Sequence, residues 1–309
     1  MQTARDPMIQ RQPLIVPFTK MSGAGNDFVV IDNRFLHFSR EELETLARRV
    51  CPRRTGVGAD GILALDPPET APPEASGDGE APKAQADFRM RYHNADGSLG
   101  TMCGNGARCL AAFAARAGLG RETPEGTHLA FDTDGGPYTA VVTPPDQSPG
   151  QAPSVTLSVP PPKDWDASGA ESDLGTVHPI WTGTEHAVVF VDDVDAAPVG
   201  TEGERLRHDP AFAPTGANVN FVEVQASGDD VLRVRARTWE KGVEAETLAC
   251  GTGAIASALV TRRTAGLEAR AVEVEMPGGT LRIGFPEPGT LTLSGPAVVV
   301  YEGTLEWHG

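Results

Sequence analysis

The chain has 309 residues, 39% of them hydrophobic and 22% charged, with a formal net charge of −16. That balance fits a globular protein long enough for two domains, each with its own core, and it argues against nucleic acid or an anionic membrane surface as partner, since both are recognised by clustered Lys and Arg. No run of eighteen apolar residues exists to cross a bilayer.

The first thirteen residues are polar and lack the apolar core of a secretory signal, so a cytoplasmic location is the expectation. Residues 16–33 read as a strand, a Gly-rich turn at 22–26 and a second strand at 28–31. Ser39, with Glu42 three positions on, makes a capping box for a helix ending near Val50. Residues 66–86 hold five Pro and five acidic residues with almost no large apolar side chain, the composition of a flexible surface loop. A strand at 88–92 precedes a turn signal at Asn94, Ala95, Asp96 and Gly97.

Cys103 then opens Cys-Gly-Asn-Gly-Ala, followed by a small, apolar helix to about residue 117 that is expected to be enclosed on every side. Strands at 127–131, 138–143 and 155–159 follow, interrupted by a Pro-rich loop at 144–153. The second half repeats the theme, with strands near 187–191, 220–224 and 232–237. Cys250 opens Cys-Gly-Thr-Gly-Ala before another small apolar helix. The two motifs share four of five residues and lie 147 positions apart, which an internal duplication explains better than chance.

These repeated segments carry the chemistry. A Cys at a helix start sees unpaired backbone N–H groups and the positive end of the dipole, which lower a thiol pKa toward neutrality. The glycines let the backbone approach a ligand, and the free N–H groups suit a carboxylate. Two such starts facing each other could remove an α-proton from one face of an amino acid and return one to the other, with one thiolate and one thiol exchanging roles. No Walker loop or dinucleotide fingerprint is present, and the four Cys lack the two-residue spacing of zinc or dithiol sites, so neither cofactor nor metal is expected.

A lone Cys before an Ala-rich helix is more often a packing residue than a nucleophile; the repetition reverses that reading for Cys103 and Cys250. Cys109, inside its helix, and Cys51, with no helix start, read as structural. On residue type alone Asn94 serves its turn, Asn26 its loop, His186 a core and Glu240 the surface.

The segments FTKMSGAGNDFVVID (18–32), GVGADGIL (56–63), YHNADGSLGTMCGNGARCLAAFA (92–114), GANVNFV (216–222), RARTWEKGVEAETLACGTGAIASA (235–258) and MPGGTLRI (276–283) together resemble the diaminopimelate epimerase family. The resemblance spans nearly the whole chain. It implies an α/β (α+β) fold of two pseudo-symmetric domains, here 1–163 and 164–309, each a curved, mostly antiparallel sheet wrapped round a central helix, with the active site in the interdomain cleft. Residues near 298–305 would return to the first domain.

The reaction implied interconverts L,L- and meso-diaminopimelate, a small-molecule amino-acid substrate on the route to lysine and peptidoglycan. By motif, Cys103 and Cys250 would be the catalytic pair, with His186 and Glu240 tuning them. Asn26, Asn94 and Asn218 would bind substrate, together with the backbone of Gly104, Asn105, Gly251 and Thr252. The chain departs from the family pattern in two of the binding positions. Thr184 stands where many members have Asn, and Lys241 where the clamp usually has Arg, which removes a planar fork able to hold a carboxylate twice. Lys occurs at only four positions in an otherwise Arg-dominated chain, so Lys241 is no drift of composition. An epimerase of another amino acid, and a non-catalytic anion-binding or thiol-redox protein on the same fold, are the alternatives; whether two copies pair as a homodimer is left open.

Overall fold

The computed structural model describes residues 13–69, 86–145, 152–163, 170–227, 230–266 and 268–308. The first half contains β1 (Leu14–Gly23), β2 (Asn26–Asp32), α1 (Asn33–Leu36), α2 (Arg40–Val50), β3 (Gly61–Asp66), β4 (Phe88–Asn94), β5 (Leu99–Gly100) and α3 (Gly104–Arg116). It continues with β6 (Arg121–Thr123), β7 (Gly126–Thr133), β8 (Gly136–Thr143) and β9 (Ser154–Val159). The second half contains β10 (Glu171–Ser172), β11 (Gly175–Trp181), β12 (Glu185–Phe190), α4 (Val199–Arg207), β13 (Asn218–Ser227), β14 (Val231–Glu240) and β15 (Ala245–Thr247). Then come α5 (Gly251–Ala265), β16 (Ala271–Met276), β17 (Gly279–Gly284), β18 (Leu291–Pro296) and β19 (Val298–Trp307).

The duplication suspected from five residues extends through the strand pairing. In the first half β1–β2 is antiparallel, β2–β3 parallel, β3–β4 and β4–β5 antiparallel, β4–β7 parallel, and β7–β8 and β8–β9 antiparallel. The same sequence of senses recurs for β11 to β18, with parallel pairs β12–β13 and β14–β16. Each half encloses one helix. Leu110, Ala111 and Ala114 of α3 pack with Phe28, Leu63, Phe88 and Leu157, while Ala254, Ala256, Ala258 and Val260 of α5 pack with Val188, Val234, Val274 and Leu293. Small side chains let a curved sheet close on the helix from several directions, and Ala costs no rotamer entropy there. Gly266, at φ 63°, ends α5 in the left-handed region that Gly adopts without strain.

Two strand contacts join the halves: β18 pairs with β9, and the last strand, β19, returns to β1. The capping box at Ser39 and Glu42 is present, with both reciprocal bonds. The acidic Pro-rich stretch at 66–86 lies outside the described residues from 70 to 85, as does the Pro-rich loop from 146 to 151.

Candidate active site

Cys103 and Cys250 are the N-cap residues of α3 and α5, with nearly the same backbone (φ −137°, ψ 116° and φ −124°, ψ 110°). The first intrahelical bonds run from Ala107 N–H to Cys103 O (2.7 Å) and from Ala254 N–H to Cys250 O (2.8 Å). The N–H groups between are the orphans of a helix start. Those of Asn105 and Gly106 face the Cys103 sulfur, and that of Gly253 faces the Cys250 sulfur, which also lies 3.4 Å from Thr252 Oγ1. Gly253 has no substitute, because a Cβ there would sit 2.4 Å from Asn220 Oδ1.

The two helix starts converge on one side chain. A Cβ on Gly104 would lie 3.2 Å from Leu293 Cδ2 and one on Gly251 3.4 Å from the same atom. The turn before Asn26 reaches across as well: a Cβ on Gly25 would meet Leu248 Cβ at 2.9 Å, and one on Gly278 would meet Ala24 O at 2.4 Å. The loop carrying Asn26 therefore seats against the segment that leads into Cys250.

The expected fall in thiol pKa is overturned. Burial pushes Cys250 up to about 12, Glu240 and Cys103 add to the rise, and Thr252 and the Gly253 N–H only partly oppose it. Cys103 is also raised by burial, against the N–H groups of Gly106 and Asn105. Removing a thiolate from water costs more than one helix start returns. Because charge on Cys103 raises the Cys250 pKa, two thiolates at once are disfavoured.

The remaining expected residues fall into two groups. Asn26 donates to Asp60 Oδ2 (3.0 Å) and accepts from Asn105 Nδ2, whose Oδ1 accepts from Arg108 (2.9 Å). Asn94 serves its turn, donating to Ser98 Oγ (2.9 Å), and also accepts from the Tyr92 hydroxyl (2.6 Å). In the second half Asn218 Oδ1 accepts from Lys241 N–H (2.8 Å), and Asn218 lies 3.4 Å from His186 Nε2. Asn220 donates to Ala187 O and contacts His186 Nδ1 at 3.1 Å, while its Oδ1 accepts from Thr238. Both ring nitrogens thus face amide N–H groups, Nδ1 that of Asn220 and Nε2 that of Asn218. Burial, aided by the Lys241 charge, holds His186 down at about 3, so the ring is neutral.

Glu240 is not the solvated charge its residue type suggests. Burial raises its pKa, and its charge raises both thiols. Thr184 donates to Glu185 Oε2 (3.0 Å), and Lys241 Nζ bonds that same oxygen. Among the described residues no three His, Cys, Asp or Glu side chains converge as metal ligands would.

Sequence reasoning missed Arg108, Tyr92 and Glu185. Arg108 has no solvent exposure and, among the described residues, bonds only neutral acceptors, Gly104 O and Asn105 Oδ1. A mid-helix Arg ordinarily reads as solvent-facing, and its only signal was its position five residues after Cys103 in an otherwise apolar helix.

Comparison with known proteins agrees with this geometry. The family model described as diaminopimelate epimerase matches residues 18–152 and 180–303. The diaminopimelate epimerase of Chlorobaculum tepidum is 43% identical, the match covering 92% of this chain and 99% of that one. The O-ureido-serine racemase of Streptomyces lavendulae is 38% identical, over 95% and 96%. Among solved structures, a PhzF-family phenazine biosynthesis protein of Bacillus anthracis superposes with a TM-score of 0.65 at 17% identity, covering 94% of this chain and 99% of that one. A hydroxyproline epimerase of Agrobacterium vitis superposes at 0.61 and 17%, over 96% and 93%. The chain belongs to the diaminopimelate epimerase family.

Proposed function

We propose that this chain is a cofactor-independent isomerase that interconverts L,L- and meso-diaminopimelate, serving the routes to lysine and peptidoglycan in the cytoplasm. The observation that carries the reading is the pair of cysteines on equivalent N-caps, one from each half (1–163 and 164–309), whose helix starts meet over Leu293. The α-carboxylate of the substrate takes the backbone N–H groups at Gly104, Asn105, Gly251 and Thr252, the environment in which a helix start holds an anion. Its α-ammonium supplies the positive charge that a thiolate in this buried site lacks.

One thiolate then removes the α-proton and becomes a thiol, while the opposite thiol gives its proton to the other face and becomes the thiolate. By the usual convention Cys250 is the acceptor and Cys103 the donor. The carbanion between them is stabilised by the hydrogen bonds on its carboxylate, which gains charge as the proton leaves. Asn26, Asn94 and Asn218 bind the substrate, with Thr184 and Lys241 beside them. Neutral His186 fixes Asn218 rather than exchanging a proton, and Glu240 limits the site to a single thiolate. A homodimer belongs to the same reading, supported by the exposed Val298, Val299, Val300 and Tyr301 on β19.

Incubation of L,L-diaminopimelate in deuterated water should give the meso form labelled at the α-carbon; absence of label would remove the assignment. One observation favours a second reading. Lys241, whose backbone N–H bonds the expected binding residue Asn218, has its ammonium already engaged by Glu185. An epimerase or racemase of a related amino acid would then label a different compound faster in a panel assay.

A further inference from the structure

Thr184, Glu185 and Lys241 form one self-satisfied unit beside the Cys250 helix start. Glu185 Oε2 accepts from the Lys241 ammonium and from the Thr184 hydroxyl. Partial burial works against ionising Glu185, but the bonds from Lys241 and Thr184 outweigh it and hold the carboxyl below its ordinary range. Both charged side chains are mostly buried, at 22% and 19% exposure, so their attraction is only partly screened. Two bonds tie the unit to the reaction centre. Lys241 N–H donates to Asn218, and Thr182, just before the unit, donates to Thr252 O at 2.9 Å.

The unit therefore has no net charge to offer. A ligand end carrying a lone carboxylate must share Lys241 with Glu185, and one carrying a lone ammonium must share Glu185 with Lys241. Each arrangement leaves two like charges on one partner in a half-buried site. An end carrying both groups can set its carboxylate against Lys241 and its ammonium against Glu185, so that signs alternate and no charge stays unpaired.

We propose that Glu185 is a specificity-determining residue: by neutralising Lys241 it selects, at the substrate end remote from the reacting carbon, a zwitterionic group over a lone carboxylate or a lone ammonium. This rests on Cys103 and Cys250 being the reaction centre.

The test compares three compounds that differ only at the remote end: diaminopimelate, 2-aminopimelate (no remote ammonium) and lysine (no remote carboxylate). Deuterium exchange gives kcat and KM for the full chain and for Glu185→Gln, Lys241→Gln and the double variant, with melting temperature as the folding control. Glu185→Gln should raise kcat/KM for 2-aminopimelate relative to diaminopimelate about tenfold, mainly through KM, as expected when a competing carboxylate is removed. Lys241→Gln should favour lysine in the same way, and the double variant should bring the three compounds to within a few-fold of one another.

An unchanged ratio in a folded Glu185→Gln variant overturns the proposal. Should that variant not fold, a folded double variant that still discriminates does the same. If the unsubstituted chain exchanges none of the compounds, the reaction assignment has failed on its own. The charge preference is then read from calorimetric binding of the same three compounds, where equal effects of Glu185→Gln on all three would overturn it.

Discussion

Arg108 donates to Asn105 Oδ1 at 2.9 Å from a position with no solvent exposure, and among the described residues neither it nor Asn105 reaches a carboxylate through that bond. A buried guanidinium without a counter-ion is costly, and here it lies where it favours ionisation of Cys103. Arg108→Met should therefore leave the melting temperature unchanged or higher, while iodoacetamide labelling of Cys103 shifts to higher pH and kcat/KM falls about tenfold or more. A variant that loses stability but keeps the labelling profile would make Arg108 purely structural.

Each thiol should be required, because the reaction needs a positioned proton carrier on each face of the α-carbon. Cys103→Ala and Cys250→Ala should each lower racemisation by about 10²–10⁴-fold, the usual worth of a positioned acid or base. Unaltered exchange in both variants would instead support an anion-binding protein on this fold. With both cysteines intact, an oxidant should join the two into a disulfide and stop turnover, and a reductant should restore it. Indifference to the oxidant would mean that the sulfurs do not face each other.

Acid should weaken the fold through His186. Its folded pKa, about 3, lies below the ordinary 6.5, so below pH 6.5 the unfolded chain takes up a proton that the folded chain refuses. Stability is present above pH 6.5 and is lost as pH falls from there toward 3. His186→Gln, which keeps a neutral polar group, should flatten this limb in urea melts at successive pH values. An equally steep limb in the variant would assign the acid loss to other groups.

Alkali acts with the opposite sign. Burial pushes Cys51, Cys109 and Cys250 each up to about 12 from an ordinary 9.0, so the folded chain keeps protons that the unfolded chain releases. The stability they confer is complete below pH 9 and fades as pH rises toward 12. Cys109→Ala should lessen that dependence without touching the reaction, as Cys109 lies inside α3 against Gly23.

These opposing shifts mark where the sequence was legible and where it was not. Cys103 and Cys250 announced themselves because a motif and a helix start are each read within fifteen residues, and the repeat needs only the two short segments to be set side by side. The enclosure of α3 and α5 was legible for the same reason, since Ala on every face leaves no solvent side. The thiol pKa was read with the wrong sign because helix-start donors are local, whereas desolvation depends on side chains such as Leu293 and Ala24, which pack with Cys250 from distant segments. Glu185 was passed over because a carboxylate on a strand start has no meaning until Lys241, 56 positions away, is seen bonded to it.

The β19 edge carries the last prediction. Consecutive strand residues point to opposite faces, yet Val298, Val299, Val300 and Tyr301 are 40%, 39%, 54% and 44% exposed. Both faces are thus uncovered here, and among the described residues β19 has a strand partner, β1, on one side only. Leu14 and Ile15, at the far end of that pair, are exposed too. An apolar edge of this kind invites pairing with a second copy, which would cover it without a new fold. Light scattering at micromolar concentration should therefore give a mass near twice 32.5 kDa. Val300→Glu should shift the mass to that of one chain, because a carboxylate in the shared strand would be buried unpaired. A wild-type chain that already runs as a monomer would show that the edge stays bare in solution.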